Sequence, residues 1–197
     1  MKTSQIQGSG ILFEENRNLP EFSGIELSGA YEVSARCGQK QEFLISGDDN
    51  IVPLVKTEVK GNTLKVTLKQ SVSTRKKITL TIAAKIIDSL KVFGAVKADI
   101  AGVSGTSFKL EIPGAGEVKL EGAVDALEIS MPGAGNVNAK NLIATTADVD
   151  VRGAGNVVLT VSGELKASIR GVGNVDYYGN PGTVKEKISG IGRIRKR

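Results

Sequence analysis

Five Gly-x-Gly tripeptides recur along the second half of the chain, at Gly114-Ala115-Gly116, Gly133-Ala134-Gly135, Gly153-Ala154-Gly155, Gly171-Val172-Gly173 and Gly190-Ile191-Gly192, with a partial copy at Gly94-Ala95-Val96. Successive first glycines lie 20, 19, 20, 18 and 19 residues apart. A fixed period of this length marks a solenoid, in which a short unit that cannot bury its apolar face alone stacks on its neighbours.

Alignment on the first glycine defines the unit. Six, four and two residues before it stand Phe108, Leu110 and Ile112 in one copy, Leu127, Ile129 and Met131 in the next, and Leu165, Ala167 and Ile169 further on. Between them fall Lys109 and Glu111, Glu128 and Ser130, Asp148 and Asp150, Lys166 and Ser168, and Lys185 and Lys187. After the glycines come Val118, Val137, Val157, Val175 and Ile194, followed inward by Leu120, Ala139, Leu159 and Tyr177. A period of two is that of a strand with one buried face. Each unit therefore reads as strand, glycine corner, strand, and a polar or glycine-bearing return such as Glu121-Gly122 or Ser162-Gly163. The pattern predicts an all-β chain, a single-stranded right-handed parallel β-helix with regular repeats of about 19 residues over 94–194. A sandwich of hairpins would use Asn-Gly turns, which the repeats lack. The corner is assigned to glycine because a tight bend asks for backbone angles that a Cβ obstructs.

The first half is less regular. Ile25 and Leu27 followed by Gly29-Ala30-Tyr31-Glu32-Val33 fit the repeat offsets and predict an opening coil. Leu54 to Lys69 reads as a hairpin around Lys60-Gly61-Asn62-Thr63, an excursion from the solenoid, and Ser71 to Lys77 as a polar loop. No linker-like stretch interrupts the chain, so residues 1–197 are expected to form one domain, with 1–10 a flexible leading segment.

The outward positions supply the candidate contacts. Asn136, Asn156 and Asn174 share one offset, and stacked Asn side chains can bond to one another along such a column. Tyr178 points outward where Tyr177 points inward, so Tyr178 is the aromatic candidate for a ligand. Net charge is +5. Lys185 to Arg197 holds six basic residues against Glu186 alone, which accounts for all of that charge. Arg193, Arg195, Lys196 and Arg197 therefore grip an anionic partner or, as the preferred reading, protect the exposed edge of the last coil from pairing with another molecule.

Several chemistries are excluded. There is no histidine, and Cys37 is the single cysteine. The usual general base, a thiolate metal cluster and Ser-His or Cys-His catalysis are therefore absent. Asp148 and Asp150, with Glu111 and Glu128 nearby, could in principle hold calcium or cleave a glycoside. Lys109, Lys166 and Lys185 interleave with them, and the set reads as a charge-balanced solvent face. Asp48-Asp49-Asn50 reads as a turn because it lacks calcium-loop spacing. No cofactor, metal or catalytic site is predicted.

Gly8-Ser9-Gly10, the run Arg17-Asn18-Leu19-Pro20-Glu21-Phe22-Ser23-Gly24-Ile25, the Ser46-Gly47-Asp48-Asp49-Asn50 turn, Val175-Asp176-Tyr177-Tyr178-Gly179-Asn180-Pro181 and Ile188-Ser189-Gly190-Ile191-Gly192 together resemble the bacterial head GIN domain family of auto-transporter adhesins. The resemblance spans Gly8 to Ile194. It implies a right-handed β-helix of the bacterial envelope, exported or lipid-anchored, and it brings no catalytic or binding residues. Family members commonly carry Gly-Ser-Gly-Asp at the corner, where this chain has Ala, Val or Ile in the middle and Asn, Glu or Arg fourth. Met1-Lys2-Thr3-Ser4-Gln5 contains no apolar run, so the expectation is a mature segment of an exported, periplasmic or surface protein, with a cytoplasmic relative as the alternative. The expected role is a non-enzymatic adhesion or binding module for glycan or envelope protein. A polysaccharide-processing enzyme and a scaffold polymerising through its coil ends are the competing readings. Nucleic acid is not an expected partner, and association through exposed sheet faces is left open.

Overall fold

Coiling about every 19 residues is realised almost entirely in strands. The computed structural model describes residues 5–68 and 70–197. The strands are β1 (Ile6–Gln7), β2 (Leu12–Asn16), β3 (Gly24–Ser28), β4 (Ala30–Cys37), β5 (Glu42–Asp48), β6 (Val55–Lys60), β7 (Thr63–Leu68), β8 (Val72–Ser73), β9 (Thr79–Ala84), β10 (Ser89–Val92), β11 (Ala95–Glu111), β12 (Ala115–Met131), β13 (Ala134–Val151), β14 (Ala154–Ile169), β15 (Val172–Tyr178), β16 (Thr183–Ile188) and β17 (Ile191–Lys196). A single 3-10 turn, Val52–Leu54, is the one helical element among the described residues. The chain is an all-β solenoid of about five turns, as the repeat requires.

Identical repeat offsets stack as expected. Ala95, Ala115, Ala134, Ala154, Val172 and Ile191 are successive ladder partners, all in parallel strands. Phe108, Leu127, Ala147, Leu165 and Val184 form a second column on the other side of the coil. The inward residues of both walls merge into one continuous buried cluster running from Phe22 to Tyr177. Thin layers of Val, Ile, Leu and Ala suit this interior because each coil is only one strand deep, with neighbours about 4.8 Å away.

The corner glycines have a different cause from the one the sequence suggested. A Cβ on Gly153 would lie 1.6 Å from the main-chain oxygen of Gly133 in the coil below. Its φ is not in the left-handed region, so it is close approach between coils, and not the bend, that excludes a side chain there. Gly155 meets both conditions, with φ +150 and a Cβ position 1.7 Å from the Gly135 oxygen. The returns are corrected as well. Glu121-Gly122 and Ser162-Gly163 are not breaks but lie inside β12 and β14. They sit at register shifts that absorb the unequal repeat lengths, as where Ala139 pairs Leu159 but the next pair is Ile143 with Thr160.

At the amino-terminal end the solenoid changes character. β3 and β4 form the opening coil, with Ile25 beside Leu90 and Tyr31 beside Val96. β6 and β7 are the expected antiparallel hairpin, closing at Lys60 and Thr63. It is not an excursion, because β7 lies parallel on β3 and adds a layer to that wall. On the other wall β9 lies on β4, β5 pairs antiparallel with β9, and β2 antiparallel with β5. One path of strands thus runs from β17 to β2 and another from β16 to β6.

Beyond residue 4 the leading segment is bonded to the body of the fold. Residues 1–4 lie outside the described residues. Ile6 and Gln7 pair with Val72 and Ser73, inside the stretch read as a loop. The Gly10 amide donates to Asp48 Oδ1 at 2.7 Å, and the Arg75 and Lys76 amides donate to Asp48 Oδ2 at 2.8 and 3.0 Å. Ser9 Oγ reaches Asp49 at 2.5 Å, and Asn50 accepts from the Ser9 amide at 2.9 Å. The Asp48-Asp49-Asn50 turn is thereby a clasp joining three segments. A buried carboxylate is tolerable only when satisfied in this way. Burial alone would raise the Asp48 carboxyl; the three amide donors and the nearby Arg75 charge outweigh it and hold the group below its ordinary value.

Candidate functional site

On the outside of the wall formed by β11 to β15, residues two apart form parallel columns of polar side chains. The first contains Glu32, Lys97, Glu117, Asn136, Asn156 and Asn174. The second contains Ser34, Asp99 and Lys119, with Asn138 and Val158 continuing it. A groove of about 730 Å³ lies along these two columns, with Thr79 and Lys140 also in its lining.

The asparagine ladder is formed. Asn156 Nδ2 donates to Asn136 Oδ1 at 3.1 Å, and Asn174 Nδ2 donates to Asn156 Oδ1 at 2.9 Å. Each amide group has two donor hydrogens and two acceptor lone pairs, so the ladder uses only part of its capacity. Asn136 and Asn156 line the groove. Asn174 lies one coil beyond, on a neighbouring depression shared with Arg193.

Tyr178 is half-buried, and its ring is covered by the Lys140 ammonium, 4.4 Å from the centroid. It therefore offers a cation-capped ring beside Lys140 and not a bare stacking surface. Tyr177 is buried, as its inward offset requires. Lys140 was not singled out in the sequence because it falls in a bulged return, outside the repeat alignment. Lys97, Glu117 and Lys119 were legible as outward offsets, whereas Thr79 joins the wall only through the β4 and β9 pairing.

The four basic residues at the end of the sequence do not act as one patch. Arg195 and Arg197 both pair with Asp176, at 3.1 and 2.9 Å, and Lys196 donates to Asn180 at 2.6 Å. Desolvation would raise Asp176, but the two guanidinium groups hold it below the ordinary carboxylate value. Arg193 makes no ion pair among the described residues.

The opposite wall carries Glu111, Glu128, Asp148 and Asp150. Lys109 pairs with Glu128 at 3.0 Å and Lys185 with Glu164 at 2.9 Å. Asp150 pairs with Arg152 and Arg170 at 2.6 and 2.7 Å, which together overcome its desolvation and hold it below the usual range. Among the described residues no group of three or more acids or cysteines is placed to hold a metal ion. Cys37 is buried, and desolvation pushes its thiol up.

Residues 21–181 match the family described as "Putative auto-transporter adhesin, head GIN domain". The chain belongs to that family. A crystal structure of a "putative adhesin" from Bacteroides fragilis is similar over 98% of this chain and 100% of its own, at 26% identity and a TM-score of 0.78. One from Parabacteroides merdae is similar over 98% and 99%, at 21% identity and a TM-score of 0.65. A "putative lipid binding protein" from Parabacteroides distasonis shares the fold at 20% identity and a TM-score of 0.57. No curated protein matches the sequence. The family and the Bacteroides fragilis relative support an adhesin-like module. No helix among the described residues is long and apolar enough to cross a membrane.

Proposed function

We propose that this head GIN domain is a non-enzymatic adhesion module at the bacterial surface or envelope, and that its ladder-lined groove holds a glycan. The reading rests on one observation above others: Asn136 and Asn156 line the groove and bond to each other with only part of their amide hydrogen-bonding capacity. An array of amides repeating at the strand spacing suits a polymer of hydroxyl-bearing units, which needs many modest hydrogen bonds in register. Lys97, Lys119 and Lys140 interspersed with Glu117 and Asp99 keep the groove near neutrality and do not favour a polyanion. The mosaic of paired charges on the other wall speaks against a polysaccharide-cleaving centre, which needs two carboxylates facing one bond.

A glycan-array screen beside a pull-down from envelope extract tests the reading. Binding to a neutral or weakly charged glycan is expected, with Asn156→Ala and Lys140→Ala each weakening it about tenfold, the equivalent of one good polar contact. Binding that ignores both substitutions, or that selects only proteins, overturns the groove as the glycan site.

A further inference from the structure

The two ends of the solenoid are complementary to each other. Of the large apolar side chains left exposed, Ile11, Leu12 and Phe13 lie at the amino-terminal end and Val184, Ile188 and Ile191 on the last coil. At both ends a strand is paired on one side only: β2 with β5, and β17 with β15. Unpaired edges of this kind are templates for another chain.

Strand direction permits a specific match. β17 runs parallel to β15 and through the stack to β4 and β9; β5 reverses, and β2 reverses again, so β2 and β17 point the same way. An unbroken ladder column connects them: Arg193, Asn174, Asn156, Asn136, Glu117, Lys97, Glu32, Thr79, Ser46, Glu14. Arg193 and Glu14, at its two ends, have no ion partner among the described residues. Two residues earlier on each strand stand Ile191 and Leu12, which are 73% and 59% exposed. On the opposite wall a second column starts at Lys187, likewise without an ion partner among the described residues, and ends at Glu58, which already pairs with Lys56 and Lys60.

We propose that the partner of the last coil is the amino-terminal end of a second copy of this chain, stacked head to tail so that β17 adds to β2 as one more parallel rung. Ile191 then covers Leu12 and Arg193 meets Glu14, each about one strand spacing apart. The basic end repels another basic end, so charge sets the polarity of stacking; a heterologous contact of this type propagates into a filament. Glu186 and Lys196 occupy inward positions of the last coil, in register with Ala167 and Tyr177, and limit the apolar area gained. The association is accordingly reversible and salt-sensitive.

Sedimentation velocity over a concentration series tests this on the whole chain. Wild type is expected to form concentration-dependent oligomers at low salt that dissociate about tenfold more readily at high salt. Glu14→Arg and Arg193→Glu should each weaken association at least tenfold, whereas mixing the two variants, or combining both changes in one chain, restores it. A misfolded variant could not be rescued by mixing. As a second measurement, Leu12→Cys with Ile191→Cys should yield a ladder of disulfide-linked multimers on oxidation, strand neighbours being within bridging distance. A wild-type chain that stays monomeric at all concentrations, a mixture that fails to associate, a cysteine pair that yields only monomers, or a last coil that instead takes up polyglutamate with no self-association would each overturn the proposal.

Discussion

At the scale of single residues the fold depends on atoms that are missing and on one charge that is buried. Gly153 and Gly155 have no room for a methyl group, the neighbouring carbonyl oxygens lying 1.6 and 1.7 Å from the positions it would take. Gly155→Ala should destabilise the chain by about 3 kcal/mol, an overpacking cost joined to the strain of φ +150. Gly182→Ala, where the nearest atom is 3.8 Å away, should stay within about 0.5 kcal/mol of wild type. Urea denaturation of both variants checks the contrast, and equal losses would refute the close-approach argument. Asp48 gives a pH signature. Its carboxyl is held below the ordinary value in the folded chain, so its contribution is complete above the unfolded carboxylate pKa and fades as pH falls through the folded one. Asp48→Asn sets an NH2 group or a weaker acceptor against the amides of Gly10, Arg75 and Lys76 and should cost about 2 kcal/mol at neutral pH. The wild-type advantage should shrink below about pH 4 when the two proteins are compared by denaturation across pH.

Between elements, the load is carried by columns. Asn156 is bonded on both sides, so Asn156→Ala removes two exposed hydrogen bonds and should lower stability by about 1 kcal/mol; Asn174→Ala removes one and should cost about half as much. Equal effects of the two changes, measured by thermal denaturation, would mean that the ladder is an incidental contact. These columns were readable from spacing, because alternation and an 18–20 residue period leave each side chain only one neighbour above and one below. Tyr177 inside, the asparagines in line and the charge mosaic followed from offsets alone. The bulged returns did not, since Lys140 belongs to no repeated offset, and neither did the amino-terminal cap. β2 and β5 pair antiparallel with each other and β5 with β9, strands distant in sequence, and no periodic signal announces such partners. Asp48 read as an ordinary turn residue because its three donors come from residues 10, 75 and 76, which only the fold brings together. For the candidate groove, the ladder wall was legible and the contribution of Thr79, which joins through the β4 and β9 pairing, was not.

The whole molecule is quasi-one-dimensional, each coil being held by the two beside it, and its stability should therefore vary along the axis. The amino-terminal end is covered by antiparallel strands and by the Asp48 clasp. The other end has no such cover among the described residues: β16 is paired only with β14, all six of its residues are exposed, and its inward Val184 and Ile188 meet nothing further along the axis. Opening should start there and move inward, because each lost coil exposes the core of the next. Hydrogen exchange is the appropriate measurement. Amides of β12, β13 and the first half of β14 should exchange last, those of β16 and β17 first, with β3 and β4 close to the central coils. At low salt and high concentration a stacked copy would cover β17, so its amides should gain protection while those of β13 stay unchanged. Protection that is uniform from β3 to β17 would instead mean a single all-or-none unit, in which neither end is special.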